Sequence, residues 1–417
     1  MSVRRNSLAN VMGVGYSSVV ALLVIPRYLT QLEAEAFGLI GFFVLAQGWL
    51  ALLDMGFSQV VTRAAAIHGH DASPQFRRLL GSIEILFASL AMVIALVGYG
   101  VAPLLAASWL QVTSLDPDAV VRSLEFMAVA IGLRLWVALY KSCLQGLELQ
   151  VRLNVLNVAA ATLRYPCSLL LLCITDMDYE EFFLYQAGVV LIELLVAMVL
   201  VYAVLPVAQR WRLAFSSVEL RKVLPFALSV AYVSAVSALV VQVDRMVFSG
   251  VLPLAEFGYL TTVTLIATGI VQLGGPVVQA LIPRLTALHA REGDDAFRRM
   301  YLDGSEALAI LIAPIAVTIA FFGMPLLTLW TGDAEAARWG APPLFWYALG
   351  SLSMTYATGP YLLQYVRGDL RLHTWFLSAV LLLQTPVLVL LAIYHGVLLV
   401  AIAWCLFRVV DLLLWGA

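Results

Sequence analysis

Apolar runs follow one another along the whole chain, separated by short links that carry most of its charge. Twelve runs predict helices, at 10–31, 37–61, 79–105, 123–146, 154–174, 182–205, 223–249, 254–282, 303–330, 341–365, 373–394 and 397–415. A helix of roughly 20 apolar residues crosses about 30 Å of hydrocarbon, so the pattern predicts an all-α polytopic membrane protein. The links alternate in sign. Those on one side hold sixteen cations: Arg4, Arg5, Arg63, Arg77, Arg78, Arg152, Arg210, Arg212, Arg221, Lys222, Arg284, Arg291, Arg298, Arg299, Arg367 and Arg371. Those on the other hold only Arg122 and Arg338, among Glu33, Glu35, Asp116, Asp118, Asp176, Asp178, Glu180, Glu181, Glu256, Asp333 and Glu335. Cationic loops stay on the cytoplasmic side, which predicts that both termini are cytoplasmic.

The second half echoes the first. Phe37-Gly38, Gln59, Arg63, His68 and Phe76-Arg77-Arg78 return as Phe257-Gly258, Gln279, Arg284, His289 and Phe297-Arg298-Arg299. Pro103-Leu104-Leu105 with Trp109 returns as Pro325-Leu326-Leu327 with Trp330, and Arg27 as Arg245. Matches at a near-constant offset mark an internal repeat. The expected domains are an N-lobe, 1–210, with helices 1–6, and a C-lobe, 211–417, with helices 7–12, divided in the basic loop Pro206–Lys222. An even number of spans per lobe gives both the same orientation, related by a pseudo-two-fold axis along the membrane normal. Two such lobes enclose a cleft, the design of an alternating-access transporter.

Composition agrees. The chain is 62% hydrophobic and 12% charged, with mean hydropathy +0.95, against roughly 25% charged residues in a soluble domain. Cys143, Cys167, Cys173 and Cys405 all lie in apolar runs, without metal or redox spacing, and read as small packing residues. The short basic start, Met1 to Asn10, precedes a run long enough to span and lacking a small-residue cleavage site, which predicts a retained first helix. There is no P-loop or glycine-rich nucleotide motif. The five histidines, His68, His70, His289, His373 and His395, are scattered. No catalytic residue, metal site or nucleic-acid partner is expected.

Charges inside the spans are the candidate functional residues, because an ionised group at mid-bilayer costs at least roughly 2.5–3.5 kcal/mol. Arg134 stands at the centre of span four and shares a helical face with Lys141, Gln145 and Glu148. Arg164 stands at the centre of span five, two residues before Pro166, and Glu193 at the centre of span six. An Arg164–Glu193 or Arg134–Glu193 pair is expected, with a positive excess left over. Arg27 and Arg245 occupy equivalent places near the outer ends of spans one and seven. Asp54, Asp244 and Glu193 are the candidates for coupling an H⁺ or Na⁺ gradient. Lys141, Arg408 and Asp411 lie near cytoplasmic ends, within snorkelling reach. The C-lobe midplane is expected to be neutral and the N-lobe cationic. That difference suits a substrate with an anionic head.

Several short segments carry a resemblance. Asn10-x-x-Gly13 leads to Ile25-Pro26-Arg27-Tyr28-Leu29, then Phe37-Gly38-Leu39, Leu53-Asp54-Met55-Gly56-Phe57 and Arg63. Asp244-Arg245-Met246, Phe257-Gly258-Tyr259 and Pro276 to Pro283-Arg284 follow in the second half. In these the chain resembles the polysaccharide transporter family of the multidrug/oligosaccharidyl-lipid/polysaccharide exporter superfamily, the O-antigen and related lipid-linked oligosaccharide flippases. Leu32-Glu33 departs from the pattern, where such proteins usually have Leu-Gly. The chain also ends directly after span twelve, whereas some relatives carry more spans or a longer tail, so a truncated C-terminus is among the expectations.

The resemblance implies a flippase of a bacterial inner membrane. It would move an undecaprenyl-pyrophosphate-linked repeat unit to the outer leaflet for O-antigen, capsule or exopolysaccharide synthesis, beside the polymerase machinery. Guanidinium groups bind pyrophosphate bidentately, so Arg134, Arg164 and Lys141 would hold the head group, and Arg27 and Arg245 would receive it. Two alternatives stand beside this one. One is a cation-coupled multidrug exporter of the same superfamily, against which the cationic midplane argues. The other is a non-transporting membrane subunit of a synthesis complex, which has no need of charges buried along a polar stripe.

Overall fold

The computed structural model describes residues 3–68, 74–175, 177–204, 215–290, 294–367 and 371–416. These residues form helices and their connections, with no β-sheet among them. Arg210, Arg212, Arg291, His70, Asp176 and the expected lobe boundary at 210/211 lie outside the described residues.

The twelve expected spans are all helical, and several are interrupted. Span one and the start of span two form α1 (Val3–Gly48), which is two helices meeting at Glu33, where φ is 66° and ψ 162°. Span two continues through α2 (Leu50–Leu53), breaks at Asp54–Gly56, and resumes as α3 (Phe57–His68). Span three is α4 (Pro74–Leu104), ending in a π-turn, Leu105–Trp109. Span four is α5 (Pro117–Gly146). Span five is α6 (Gln150–Thr162), a π-turn at Leu163–Cys167, and α7 (Ser168–Ile174); span six is α8 (Tyr179–Tyr202). Spans seven and eight are α9 (Ser217–Val251) and α10 (Leu254–Ala290). Span nine is α11 (Asp294–Phe321) with α12 (Gly323–Thr331), and span ten is α13 (Ala334–Tyr356) with α14 (Thr358–Arg367). Spans eleven and twelve are α15 (Arg371–His395) and α16 (Val397–Gly416).

Among the described residues, ten helices are long and apolar enough to cross a membrane by themselves. The difference from twelve comes from spans two and ten. The first part of span two runs on from span one across Glu33, and span ten is cut at Ala357 and rich in hydroxyls. Those hydroxyls bond back to their own helix, as Ser353 does to the Leu349 carbonyl at 3.1 Å and Thr355 to that of Ser351 at 2.8 Å. Large apolar side chains on the outside, such as Met92, Leu96, Leu382 and Leu383, are exposed, as a lipid-facing surface requires.

The acids of the outer links are helix starters. Asp116, Asp178 and Asp333 accept from the backbone N–H of Ala119 at 3.1 Å, Glu181 at 2.8 Å and Glu335 at 2.7 Å, so each carboxylate satisfies donors that a helix leaves open at its first turn. Glu35 works differently. It is buried, and accepts from the backbone and hydroxyls of both Thr113 and Ser114, the Ser114 N–H at 2.7 Å. It thereby ties the link after span one to the link after span three. Removing one partner of a buried charged hydrogen bond costs about 1.5–3 kcal/mol. Glu35→Ala is therefore expected to lower the melting temperature of the purified protein in detergent, and Glu35→Gln to lower it less.

Glu33 stands where the resemblance leads one to expect glycine, and its backbone fits that expectation. Its dihedrals fall in a region that is essentially glycine's alone, and a side chain there costs on the order of 1–3 kcal/mol. Glu33 is exposed, so its carboxylate is dispensable to packing. Glu33→Gly is expected to raise thermal stability, a sign opposite to that of most substitutions.

The chain divides into two compact units, residues 1–238 and 239–417. In the first, Phe57, Phe76, Phe87 and Tyr140 fill the space between α3, α4 and α5, closed by Val190, Leu194 and Val201 of α8. In the second, Ile270, Ile312, Ala316 and Ala348 join α10, α11 and α13. The repeated Phe37 and Phe257 are each fully buried in their own unit.

Candidate functional site

The first unit brings together the charges of spans four, five and six. Glu193 is almost fully buried and serves two cations: Lys141 Nζ lies 2.5 Å from one carboxylate oxygen and Arg164 Nη2 lies 2.7 Å from the other. Arg134 does not join the pair. Its Nη1 donates to Gln47 Oε1, and its guanidinium stands 5.8 Å from the centre of the Phe43 ring, within electrostatic reach of Arg164 and Glu193. Three cations thus share one anion. The Nε–H groups of Arg134 and Arg164 are buried and without a hydrogen-bond partner among the described residues.

The backbone around Arg164 explains its direction. Pro166 supplies no N–H and its ring disrupts the helical ladder, and the chain answers with a π-turn over Leu163–Cys167. Three carbonyls there are taken up by side chains of other helices. Tyr185 Oη donates to Leu163 O at 2.8 Å, Gln186 Nε2 to Arg164 O at 3.0 Å and Tyr28 Oη to Tyr165 O at 3.1 Å. Tyr28 Oη also lies 2.6 Å from Ser168 Oγ. Arg164 is held by α1 and α8 through its backbone as well as by Glu193 through its side chain. A π-turn of this kind in a helix frequently marks a functional position.

The structure corrects several expectations. Lys141 does not snorkel; it turns inward to Glu193. Glu148 is not on the polar stripe, because α5 ends at Gly146 and Glu148 sits in a turn at φ 57°. Gln145 is exposed, so of the stripe only Arg134 and Lys141 reach the site. Asp54 is committed to the chain itself: both its oxygens face the Ser58 N–H, and Oδ1 accepts from Ser58 Oγ at 2.5 Å. It caps α3 where span two breaks. Arg27 is exposed and Arg245 half-buried; neither forms an ion pair among the described residues.

The second unit is not neutral inside. Asp244 is 3% exposed and accepts from Tyr347 Oη at 3.2 Å. Arg408 and Asp411, expected to reach the surface, are buried and paired at 3.0 Å. Arg408 also donates to Gln384 Oε1 at 2.7 Å and stands 5.5 Å from the Trp404 ring, which packs on Tyr347 at 5.3 Å. The helix geometry decides this: Asp411 lies one turn beyond Arg408 on the same face, and Gln384 reaches Arg408 from α15. The two acids outnumber the one arginine.

A third cluster is absent from the sequence reading. Arg77 and Glu84 are both buried, 3.3 Å apart on α4. Arg77 donates to Tyr202 Oη at 3.0 Å, and Glu84 accepts from Tyr202 at 2.6 Å and Tyr140 at 3.1 Å. Arg298, the repeat counterpart of Arg77, is exposed.

Helical spans with paired charges in their interiors define a polytopic membrane fold, and solved structures share it. The chain covers 96% of its length on 93% of an inward-facing multidrug resistance MATE family transporter of the MOP superfamily, at TM-score 0.67 and 14% identity. It covers 98% of its length on 86% of the lipid II flippase MurJ in an inward closed conformation, at TM-score 0.71 and 12% identity. The eukaryotic MATE transporter AtDTX14 matches at TM-score 0.61 and 11% identity, over 98% of this chain and 96% of that one. No curated protein sequence matches. Residues 3–289 match the polysaccharide biosynthesis protein family, and the chain belongs to that family.

Proposed function

We propose that the protein is a flippase that carries a lipid-linked oligosaccharide, headed by a prenyl diphosphate, across a bacterial inner membrane for surface polysaccharide synthesis. The observation that carries this reading is the surplus of cations around Glu193, with two buried guanidinium N–H groups unpartnered among the described residues. Buried polar groups normally find partners. A diphosphate offers oxygens for both guanidinium groups and charge to offset the excess. Family membership and the likeness to a lipid II flippase support a lipid-linked substrate. The protein acts by transport, not by catalysis. Arg134 and Arg164 hold the head, Lys141 exchanges between Glu193 and the substrate, and Arg27 and Arg245 receive the head at the outer end of the path. Alternating access between the two six-helix lobes, 1–210 and 211–417, moves it.

Coupling to an H⁺ or Na⁺ gradient is assigned to Asp244. Asp54 caps a helix and Glu193 is doubly paired, whereas Asp244 has a tyrosine hydroxyl as its side-chain partner and, among the described residues, no cation within ion-pair distance. Asp244→Asn is expected to abolish gradient-driven transport in proteoliposomes while binding of the lipid-linked substrate persists. Full gradient-driven transport by the variant would remove Asp244 from the mechanism.

The test of the overall reading is a strain lacking this chain. Prenyl-linked repeat units are expected to accumulate on the cytoplasmic face, and polymer to disappear from the surface. Unchanged polysaccharide with increased sensitivity to cationic drugs would replace the flippase with a multidrug exporter.

A further inference from the structure

Spans five and six part along their outer faces and leave an apolar slot. Val155, Ala159 and Leu163 form one wall and Val189, Ile192 and Val196 the other; Arg152 stands at one end, and Glu193 opens onto the slot partway along. The cavity is about 340 Å³. Its lining runs from Val151 to Leu163, twelve residue steps or about 18 Å at 1.5 Å per residue, which makes it elongated. Its inner end adjoins Arg164 in sequence, and its middle meets the carboxylate that Arg164 and Lys141 share.

Resting on the flippase reading, we propose that this slot holds the prenyl chain of the substrate while the diphosphate moves from Arg152 to Arg164. Charge complementarity carries the choice of occupant. Arg152 lines the slot at one end, and Arg164 stands behind its wall, 2.7 Å from the Glu193 carboxylate that lines it, so a molecule with an apolar tail and an anionic head can keep its tail in the slot between the two. An ordinary phospholipid keeps its head at the membrane surface and gains nothing from a cation cluster at mid-span. The branched aliphatic walls suit a methyl-branched chain, and a polar tail is excluded because burying it unpartnered costs several kcal/mol. The slot also gives the flippase a way to recognise the lipid without regard to the sugar.

The experiment uses the full chain in proteoliposomes and a polyprenyl diphosphate bearing a diazirine within its chain. After irradiation, labelled peptides are mapped by mass spectrometry, with unlabelled polyprenyl diphosphate or phosphatidylglycerol as competitor. Labels are expected in 150–163 and 189–200. They should fall about tenfold when the prenyl diphosphate is added at about ten times its Kd and stay unchanged with phosphatidylglycerol. Ala159→Trp and Ile192→Trp, which fill the slot from opposite walls, should each remove these labels while the protein stays monodisperse. Labels displaced equally by phosphatidylglycerol would make the slot an ordinary lipid site and overturn the proposal. Competed labels that map only to other helices would overturn it and leave the flippase reading intact. Competed labels nowhere on the chain would sink both. If a tryptophan variant does not fold, the wild-type map decides alone.

Discussion

Arg164→Ala is expected to stop polysaccharide export while leaving the protein at its normal level in the membrane. The level is preserved because Glu193 keeps Lys141 as a partner at 2.5 Å when the guanidinium is removed. The carbonyls of the π-turn keep Tyr185, Gln186 and Tyr28, none of which bonds to the Arg164 side chain in these contacts. Export is lost because truncating one member of a buried charge pair costs about 2–5 kcal/mol, and 2 kcal/mol alone is roughly 25-fold in binding. Arg134→Ala should behave alike, since Gln47 is an amide and is left with no buried charge to neutralise. Arg→Lys at either position should restore export only in part, because an ammonium cannot present two parallel N–H groups. Surface polysaccharide and membrane abundance are measured together. Normal export by both alanine variants would reduce the cluster to a structural tie between spans four, five and six.

Glu84→Ala is expected to have the opposite profile: too little folded protein to assay. It removes the buried carboxylate paired with Arg77, whose side chain is 5% exposed, and with it the acceptor shared by Tyr140 and Tyr202. Breaking a buried ion pair from one side costs about 3–5 kcal/mol, whereas replacing both partners with apolar groups of similar size is often neutral. Arg77→Met with Glu84→Leu should therefore recover folded protein that Glu84→Ala loses. Fluorescence size-exclusion profiles in detergent distinguish the two outcomes. A monodisperse Glu84→Ala variant with an unchanged melting temperature would show that Arg77 finds another anion.

The spans were legible because hydrocarbon demands one simple pattern, and each of the twelve apolar runs became helix. Arg164 and Glu193 were legible for the same reason, as charges too deep to reach water. What the sequence concealed was direction. Lys141 and Arg408 lie near helix ends, where a long side chain can turn outward or inward with no change in the surrounding pattern; Glu193 and Gln384, which receive them, lie on other helices, and Asp411 adds a partner for Arg408 from its own. Arg77 was hidden more deeply, because Phe76-Arg77-Arg78 reads as one of the basic links and the tyrosine that receives it, Tyr202, comes from α8. Glu84, seven residues on and on the same face, was the one available sign. The departure at Glu33 was visible as a missing glycine, and only the dihedrals show what the glycine would do.

A continuous helix carries axial rotation from one membrane face to the other. Span two, cut at Asp54–Gly56, does not. Met55 and Gly56 both have positive φ, and a Cβ on Gly56 would come within 2.5 Å of the Ala227 carbonyl, so the cut lies flush against α9. Below it, Arg63 of α3 stacks on Phe226 of α9 at 5.4 Å; above it, Phe43 and Gln47 stay with Arg134. The upper length is thus anchored to the charge cluster and the lower length to the neighbouring span. The break therefore lets the two lengths of one span be held by different neighbours, α3 by α9 and the residues before Asp54 by Arg134.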